Sequence, residues 1–181
     1  MIDALLEEAD RKMDQAVVHA GHEFATIRTG RANPGLLSRI TVDYYGTETP
    51  LEHISSFTVP EARLLVVQPY DKSAIGDIER ALQESDLGLN PSNDGNVIRL
   101  TFPTLTEERR KELIKMVRGL AEEGRVAIRN VRRHSKDSIE SEDVSKDDIH
   151  RAEKTLQEMT DRHVEKLDEL LATKEEELLE V

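Results

Sequence analysis

Five cations on one stretch, Arg118, Arg125, Arg129, Arg132 and Lys136, are separated by steps of seven, four, three and four residues. If the stretch from Leu105 to Lys136 is a helix, 100° per residue brings all five within roughly 40° of a single line. Arginine carries a permanent charge and a planar fork of donors, a better match to phosphate oxygens than the point charge of lysine. No aromatic residue interleaves with the row, so stacking on single-stranded bases is not expected. Salt-sensitive contact with the backbone of structured RNA fits better. The row is expected to be free to meet an anionic partner. Arg28 and Arg31 either extend this patch or anchor the chain through bonds to carbonyls, and both readings stay open.

Other chemistry has little support. The chain has no cysteine, which excludes disulfides and thiolate catalysis or metal binding. His19 and His22 lack the spacing of a helical zinc site, and His53, His134, His150 and His163 form no spaced ligand set. Glu107 and Glu108, like Glu122 and Glu123, are helix neighbours that point about 100° apart and do not make a ready acid/base pair. The glycines at 30, 35, 88 and 95 approach no phosphate-loop pattern. No catalytic residue, metal site or cofactor is expected. A hydrolase would need titratable groups converging on an interdomain cleft.

Charge is unevenly distributed along the 181 residues, whose formal net charge is −12. The balance is −3 over residues 1–30, −4 over 31–105, +5 over 106–136 and −10 over 137–181. The basic segment is thus set against a strongly acidic C-terminal one, a polarity that can orient a molecule on an anionic surface. The aromatic content of 3% argues against a large sandwich or barrel core. No apolar run approaches a membrane span, and the N-terminus MIDALLEEADRK is acidic and amphipathic where a signal peptide is basic and then apolar. A cytoplasmic address is expected, with no membrane contact.

Three long stretches share helical periodicity. Ile2, Leu5, Leu6, Ala9, Met13, Ala16, Ala20, Phe24 and Ile27 repeat at three-four spacing across 2–28. Leu113, Val117, Leu120, Gly124, Ala127 or Ile128, and Val131 form the apolar stripe of the basic helix. From Ile149 the pattern resumes with Ala152, Leu156, Met159, His163 or Val164, Leu167, Leu170 or Leu171, and Leu178. SEDVSKDD, residues 141–148, is polar enough to be a turn or a poorly ordered tip. Three amphipathic helices hide their apolar sides by packing as a bundle, and with three stripes satisfying one another a monomer is expected.

Between the first helix and the others the period becomes strand-like. Ile40, Val42 and Tyr44 alternate with polar residues until Gly46, short strands are expected over 49–54 and 56–59, and Arg63 to Gln68 is a denser strand ended by Pro69. Asp71 caps a helix from Lys72 to about Gln83. Asn93-Asp94-Gly95-Asn96 is a tight turn leading into the strand Val97 to Thr101, and Pro103 closes the block. The expected fold is α+β: an elongated three-helix bundle from 1–30 and 105–181, with a small β/α/β domain of residues 31–104 inserted. The two crossing points lie near Gly30 and Arg31 and near Pro103, Thr104 and Leu105, which form the expected hinge.

Several stretches resemble the ribosome recycling factor family: TIRTGRANP (26–34), ITVDYYGTETP (40–50), VPEARLLVVQP (59–69), SDLGLNPSNDGNVIR (85–99), TEERRKEL (106–113), RVAIRNVRR (125–133) and the closing KEEELLEV. The resemblance implies an antiparallel bundle and a β/α/β sandwich joined in an L. It implies a non-enzymatic translation factor that binds the large ribosomal subunit after termination, its bundle against ribosomal RNA. Elongation factor G, hydrolysing GTP, then acts on it and the subunits part. Family residues expected at RNA map to Arg110, Arg129 and Arg132, with Arg28, Gly30 and Arg31 near the hinge. Arg132 heads the set, and geometry adds Arg133, Arg125, Arg118 and Lys136. The chain departs from the family between Arg133 and Ile149, where it is several residues shorter and His134 replaces a more usual charge. A bundle that binds an acidic protein through Arg125 and Arg129 is the alternative reading.

Overall fold

The computed structural model describes residues 1–180. In chain order the elements are α1 (Ile2–Thr26), β1 (Thr41–Tyr44), β2 (Thr47–Pro50), α2 (Leu51–Ile54), β3 (Ser55–Glu61), β4 (Leu64–Pro69), α3 (Ile75–Glu84), β5 (Pro91–Asn93), β6 (Ile98–Thr101), α4 (Glu107–Glu140) and α5 (Lys146–Leu179). The chain divides into two compact units, Met1–Ile27 with Glu108–Glu176, and Arg28–Glu107 with Glu177–Val181.

The first unit is built from α1, α4 and α5. Ala9, Met13, Val17, Ala20 and Phe24 of α1 are buried, as are Leu113, Val117, Ala121, Gly124 and Ile128 of α4. Each set advances by three or four residues, so one side of each helix carries the apolar atoms. Val17 is buried where Ala16 was expected, and Ala121 lies deeper than Leu120. The larger alternative is not always the deeper one, because the stripe drifts with the 3.6-residue period. Contacts give the helix directions. Arg118 meets Glu175 and Arg132 meets Gln157, so α4 and α5 run antiparallel. Asp10 faces His163, and a Cβ on Gly21 would lie 3.7 Å from Leu170, so α1 and α5 run parallel. At about 1.5 Å per residue the 34-residue helices α4 and α5 each span about 51 Å.

Gly124 packs against both of the other helices. A Cβ there would stand 2.9 Å from Leu167 Cδ2 and 3.4 Å from the Ala20 Cβ. His163 of α5 is 2% exposed, and its Nδ1 lies 2.8 Å from the Met159 carbonyl oxygen.

The α4–α5 connection is tighter than its composition suggests. α4 runs on to Glu140, and the Ser145 hydroxyl accepts from the Asp148 backbone N–H at 3.1 Å while bonding the Asp148 carboxylate at 2.8 Å. The first of these bonds is a serine N-cap, so α5 starts at Lys146 and not at Ile149. Serine and aspartate read as a polar tip because the same residues serve turns and caps.

In the second unit β3, β4, β6 and β5 form an antiparallel four-stranded sheet in that order, and β1 and β2 form a separate hairpin. Leu65 pairs with Leu100 and Val67 with Ile98 across β4 and β6, and all four are fully buried. Alternation puts Arg99 and Thr101 on the open side. Leu37, Val42, Leu51, Ile78, Leu82 and Phe102 belong to the same core. Tyr45 and Gly46 have φ of 51° and 81°, the paired positive values of a two-residue hairpin turn. The expected strand over 49–54 is two elements: β2 ends at Pro50, and Leu51–Ile54 is one helical turn. Leu51 and Ile54 are both buried, and spacing of three on one side is helical. Pro69 is the last residue of β4, where it is paired with Ser55.

The loops around the strands are held by local caps and by backbone bonds between distant segments. Asn33 caps a 3-10 turn at Pro34–Leu37 by accepting from the Gly35 N–H at 2.9 Å. The Ala32 N–H donates to the Ala62 carbonyl at 2.7 Å, and the Phe102 N–H to the Arg63 carbonyl at 2.8 Å. Asp71 caps a 3-10 turn, Lys72–Ala74, ahead of α3. Asp94 accepts from the N–H groups of Asn96 and Val97, both at 2.9 Å.

Candidate nucleic-acid interface

The cationic row of α4 follows from the same phase that buries Leu113, Val117, Ala121 and Ile128. A residue one position beyond a buried one is rotated by about 100°, so the row runs beside the core stripe and along the α4–α5 seam. There it meets the acidic helix. Arg118 Nε donates to Glu175 Oε1 at 2.6 Å. Arg125 donates to Asp168 Oδ1 through Nε at 2.9 Å and Nη2 at 2.7 Å, and to Glu122 through Nη1 at 3.0 Å. The bonds to Glu175 and Asp168 raise Arg118 and Arg125, respectively, above the ordinary arginine value.

This corrects the expectation of a wholly free row: Arg118 and Arg125 are held by carboxylates of α5. Sequence could place arginines on one line, but which of them α5 reaches depends on the register between two helices whose contacting residues are 43 and 57 positions apart.

The remaining cations are more open. Arg132 is half-buried and donates to the neutral Gln157 at 3.1 Å. Arg129 is exposed, with one loose contact of 3.5 Å to Glu122. Lys136 stands 3.7 Å from Glu140, one turn along its own helix. Arg133 is exposed; among the described residues it makes no ion pair or side-chain hydrogen bond. Thus the last third of α4 presents Arg129, Arg132, Arg133 and Lys136 with little internal neutralisation.

Arg110 lies near the start of the helix, half-buried, and its Nε is buried without a hydrogen-bond partner. A buried donor left unpaired costs roughly 1–3 kcal/mol, so this guanidinium is set in a demanding position.

The residues expected at the crossing points belong to the second unit. Arg28 donates to the Leu87 carbonyl and stacks its guanidinium 5.5 Å from the Phe102 ring centre. Burial pulls it below the ordinary arginine value. These contacts favour the anchor over the patch for Arg28. Arg31 pairs loosely with Glu180 at 3.5 Å, and its N–H donates to the Thr29 hydroxyl at 3.1 Å. Gly30 lies against Leu105 and the Pro103 carbonyl, and Thr104 accepts from Arg63.

No His, Cys, Asp or Glu cluster among the described residues is placed to hold a metal ion. No helix among them is long and apolar enough to cross a membrane.

A model of the ribosome recycling factor family matches residues 20–179. The chain belongs to the ribosome recycling factor family. It is 54% identical to the ribosome-recycling factor of Cutibacterium acnes over 98% of both chains, and 56% identical to that of Acidothermus cellulolyticus over the full length of both. Among solved structures it is similar to a ribosome recycling factor determined in solution, with a TM-score of 0.80 and 41% identity over 99% of this chain and 98% of that one. It is also similar to a Thermus thermophilus ribosome recycling factor, described as bound with E. coli elongation factor G to the post-termination complex. That match has a TM-score of 0.70 and 44% identity, and covers 99% of this chain and 100% of the other. A helix bundle with an inserted sheet domain is the family's two-domain architecture. Members are translation factors of ribosome recycling and not enzymes, and this chain is one.

Proposed function

We propose that the chain binds ribosomal RNA of the large subunit through the cationic side of α4 and, with elongation factor G, returns the post-termination ribosome for reuse. The observation that carries this reading is the group of guanidiniums at Arg129, Arg132 and Arg133, continued by Lys136, on a helix where Arg118 and Arg125 are tied to carboxylates. The half-buried Arg110 extends the contact toward the start of α4, and Arg118 and Arg125 lend charge while remaining tied to α5. The bundle of 1–30 and 105–181 is the RNA-binding part. Part of the inserted domain of 31–104 meets the translocase together with the hinge, whose residues are Gly30, Arg31, Pro103, Thr104 and Leu105, and Arg28 fixes the chain beside it. GTP hydrolysis belongs to the partner; the chain works by binding, as a cytoplasmic monomer.

Guanidinium contacts to phosphate release counterions, so affinity should fall steeply with salt. Cosedimentation with isolated large subunits over a salt series tests the RNA contact. A subunit-splitting assay on post-termination complexes, with the translocase and GTP omitted in turn, tests the function. Salt-independent binding would sink the first part, and splitting without the translocase the second.

A further inference from the structure

Across the β1–β2 hairpin Asp43 stands directly opposite Glu48. Like charges so placed destabilise an antiparallel pair, yet among the described residues neither carboxylate has an ion pair or a side-chain hydrogen bond. Elsewhere in this unit carboxylates are well supplied: Asp71 accepts from Ser73 and Tyr45, and Asp94 from two backbone N–H groups and Arg99.

Asp43 and Glu48 line a groove of about 630 Å³ between the hairpin and α3. Asp77, Glu84 and Asp86 add to its rim, giving five carboxylates against two arginines, Arg39 and Arg80. Neither arginine pairs with a carboxylate among the described residues. The floor is apolar: Leu36, Ile40, Ala81 and Leu87 are half-buried, packed on the core from one side and open to the groove on the other.

We propose that this groove docks a cationic, amphipathic segment of a protein partner. Apolar side chains of that segment rest on Leu36, Ile40, Ala81 and Leu87, and a lysine or arginine relieves the repulsion between Asp43 and Glu48. The excess of carboxylates repels nucleic acid, and a bare cation leaves the apolar floor unused. The inference does not depend on the RNA-binding side of α4.

The test is an NMR titration of the full ¹⁵N-labelled chain with a short synthetic peptide of lysine and leucine. Shifts are expected in residues 36–48 and 77–87. Asp43→Asn with Glu48→Gln should weaken binding by about tenfold or more, since charge pairs at an interface govern affinity on that scale. The same double change should leave the melting temperature equal or higher, because it removes a repulsion. Glu165→Gln with Glu169→Gln on α5, an equal change of net charge at residues that do not line the groove, should leave affinity within about twofold. Shifts spread along α5, equal loss in the α5 control, equal binding of spermidine, or a lowered melting temperature in the Asp43/Glu48 variant would each overturn the proposal.

Discussion

Arg125 reaches from α4 to α5 and sets two of its nitrogens 2.7 and 2.9 Å from the same oxygen of Asp168. The arginine side chain is 21% exposed and the aspartate 49%, so solvent screens the pair substantially. Asp168→Asn should cost about 0.5–1 kcal/mol of stability, the range of partly exposed ion pairs. Denaturant unfolding measures it. Binding to large subunits should hold or rise, because Arg125 is released toward the anionic side.

Arg129 and Arg133 should contribute most of the electrostatic attraction, being exposed and little neutralised. Changing both to glutamate should reduce large-subunit affinity by about tenfold or more and flatten the salt slope by about one unit for each phosphate no longer neutralised. The melting temperature should barely move. Taken singly, Arg118→Ala should have a smaller effect on affinity than Arg133→Ala, since Glu175 already holds that charge. Equal reductions from the two changes would show that internal pairing does not grade the row.

Gly124→Ala sets helix propensity against crowding. Alanine is better in a helix by about 1 kcal/mol, but its Cβ would enter to 2.9 Å from a Leu167 side chain that is fully buried. Overpacking costs typically 1–3 kcal/mol, so a net loss of about 1 kcal/mol is expected. A gain in calorimetric stability would mean that Leu167 moves aside freely.

Asp71 is held at about 2, from an ordinary 3.8, first by the Ser73 hydroxyl and backbone N–H and then by the Tyr45 and Tyr44 hydroxyls. Asp94 is lowered further, by the Val97 N–H, the Arg99 guanidinium and the Asn96 N–H. A folded value below the unfolded one adds stability that is fully present above the unfolded value and is lost as pH falls through the folded one. The second unit should therefore weaken between about pH 4 and pH 2. Tyrosine fluorescence followed through acid unfolding measures this. Asp71→Asn should shallow the dependence, and an unchanged profile would exclude Asp71 as a source.

Gly30→Ala should be tolerated in the folded state. Its backbone is not left-handed, and a new Cβ would meet only ordinary contacts near 3.8 Å with Leu105 and 3.9 Å with the Pro103 carbonyl. Stability should change by less than about 0.5 kcal/mol, as at sites without a special constraint. A larger loss would point to a conformational demand that this geometry does not contain.

Much of the architecture was legible as periodicity. Steps of three and four mark α1, α4 and α5, and alternation marks β1 and β6, because burying one side of an element forces its period on the chain, while β4 shows as a dense apolar run ended by Pro69. Asn93 to Asn96 was readable as a turn, since Gly95 there does take a positive φ of 91°. Short-range ambiguity explains the misses. Ser145 to Asp148 has the composition of a loop and the bonds of a cap, and Leu51 to Ile54 is too short for either period to declare itself.

The interface divides the same way. Residue spacing alone aligned Arg118, Arg125, Arg129, Arg132 and Lys136, because their angles on α4 are a local property of the helix. Whether each charge faces outward or is spent on Glu175, Asp168 or Gln157 was settled only when α5 packed against α4 in one register. A side chain's direction follows from its own helix; its partner follows from how far a second helix slides along it, which depends on how the buried faces fit, as where Gly124 meets Leu167 and Ala20.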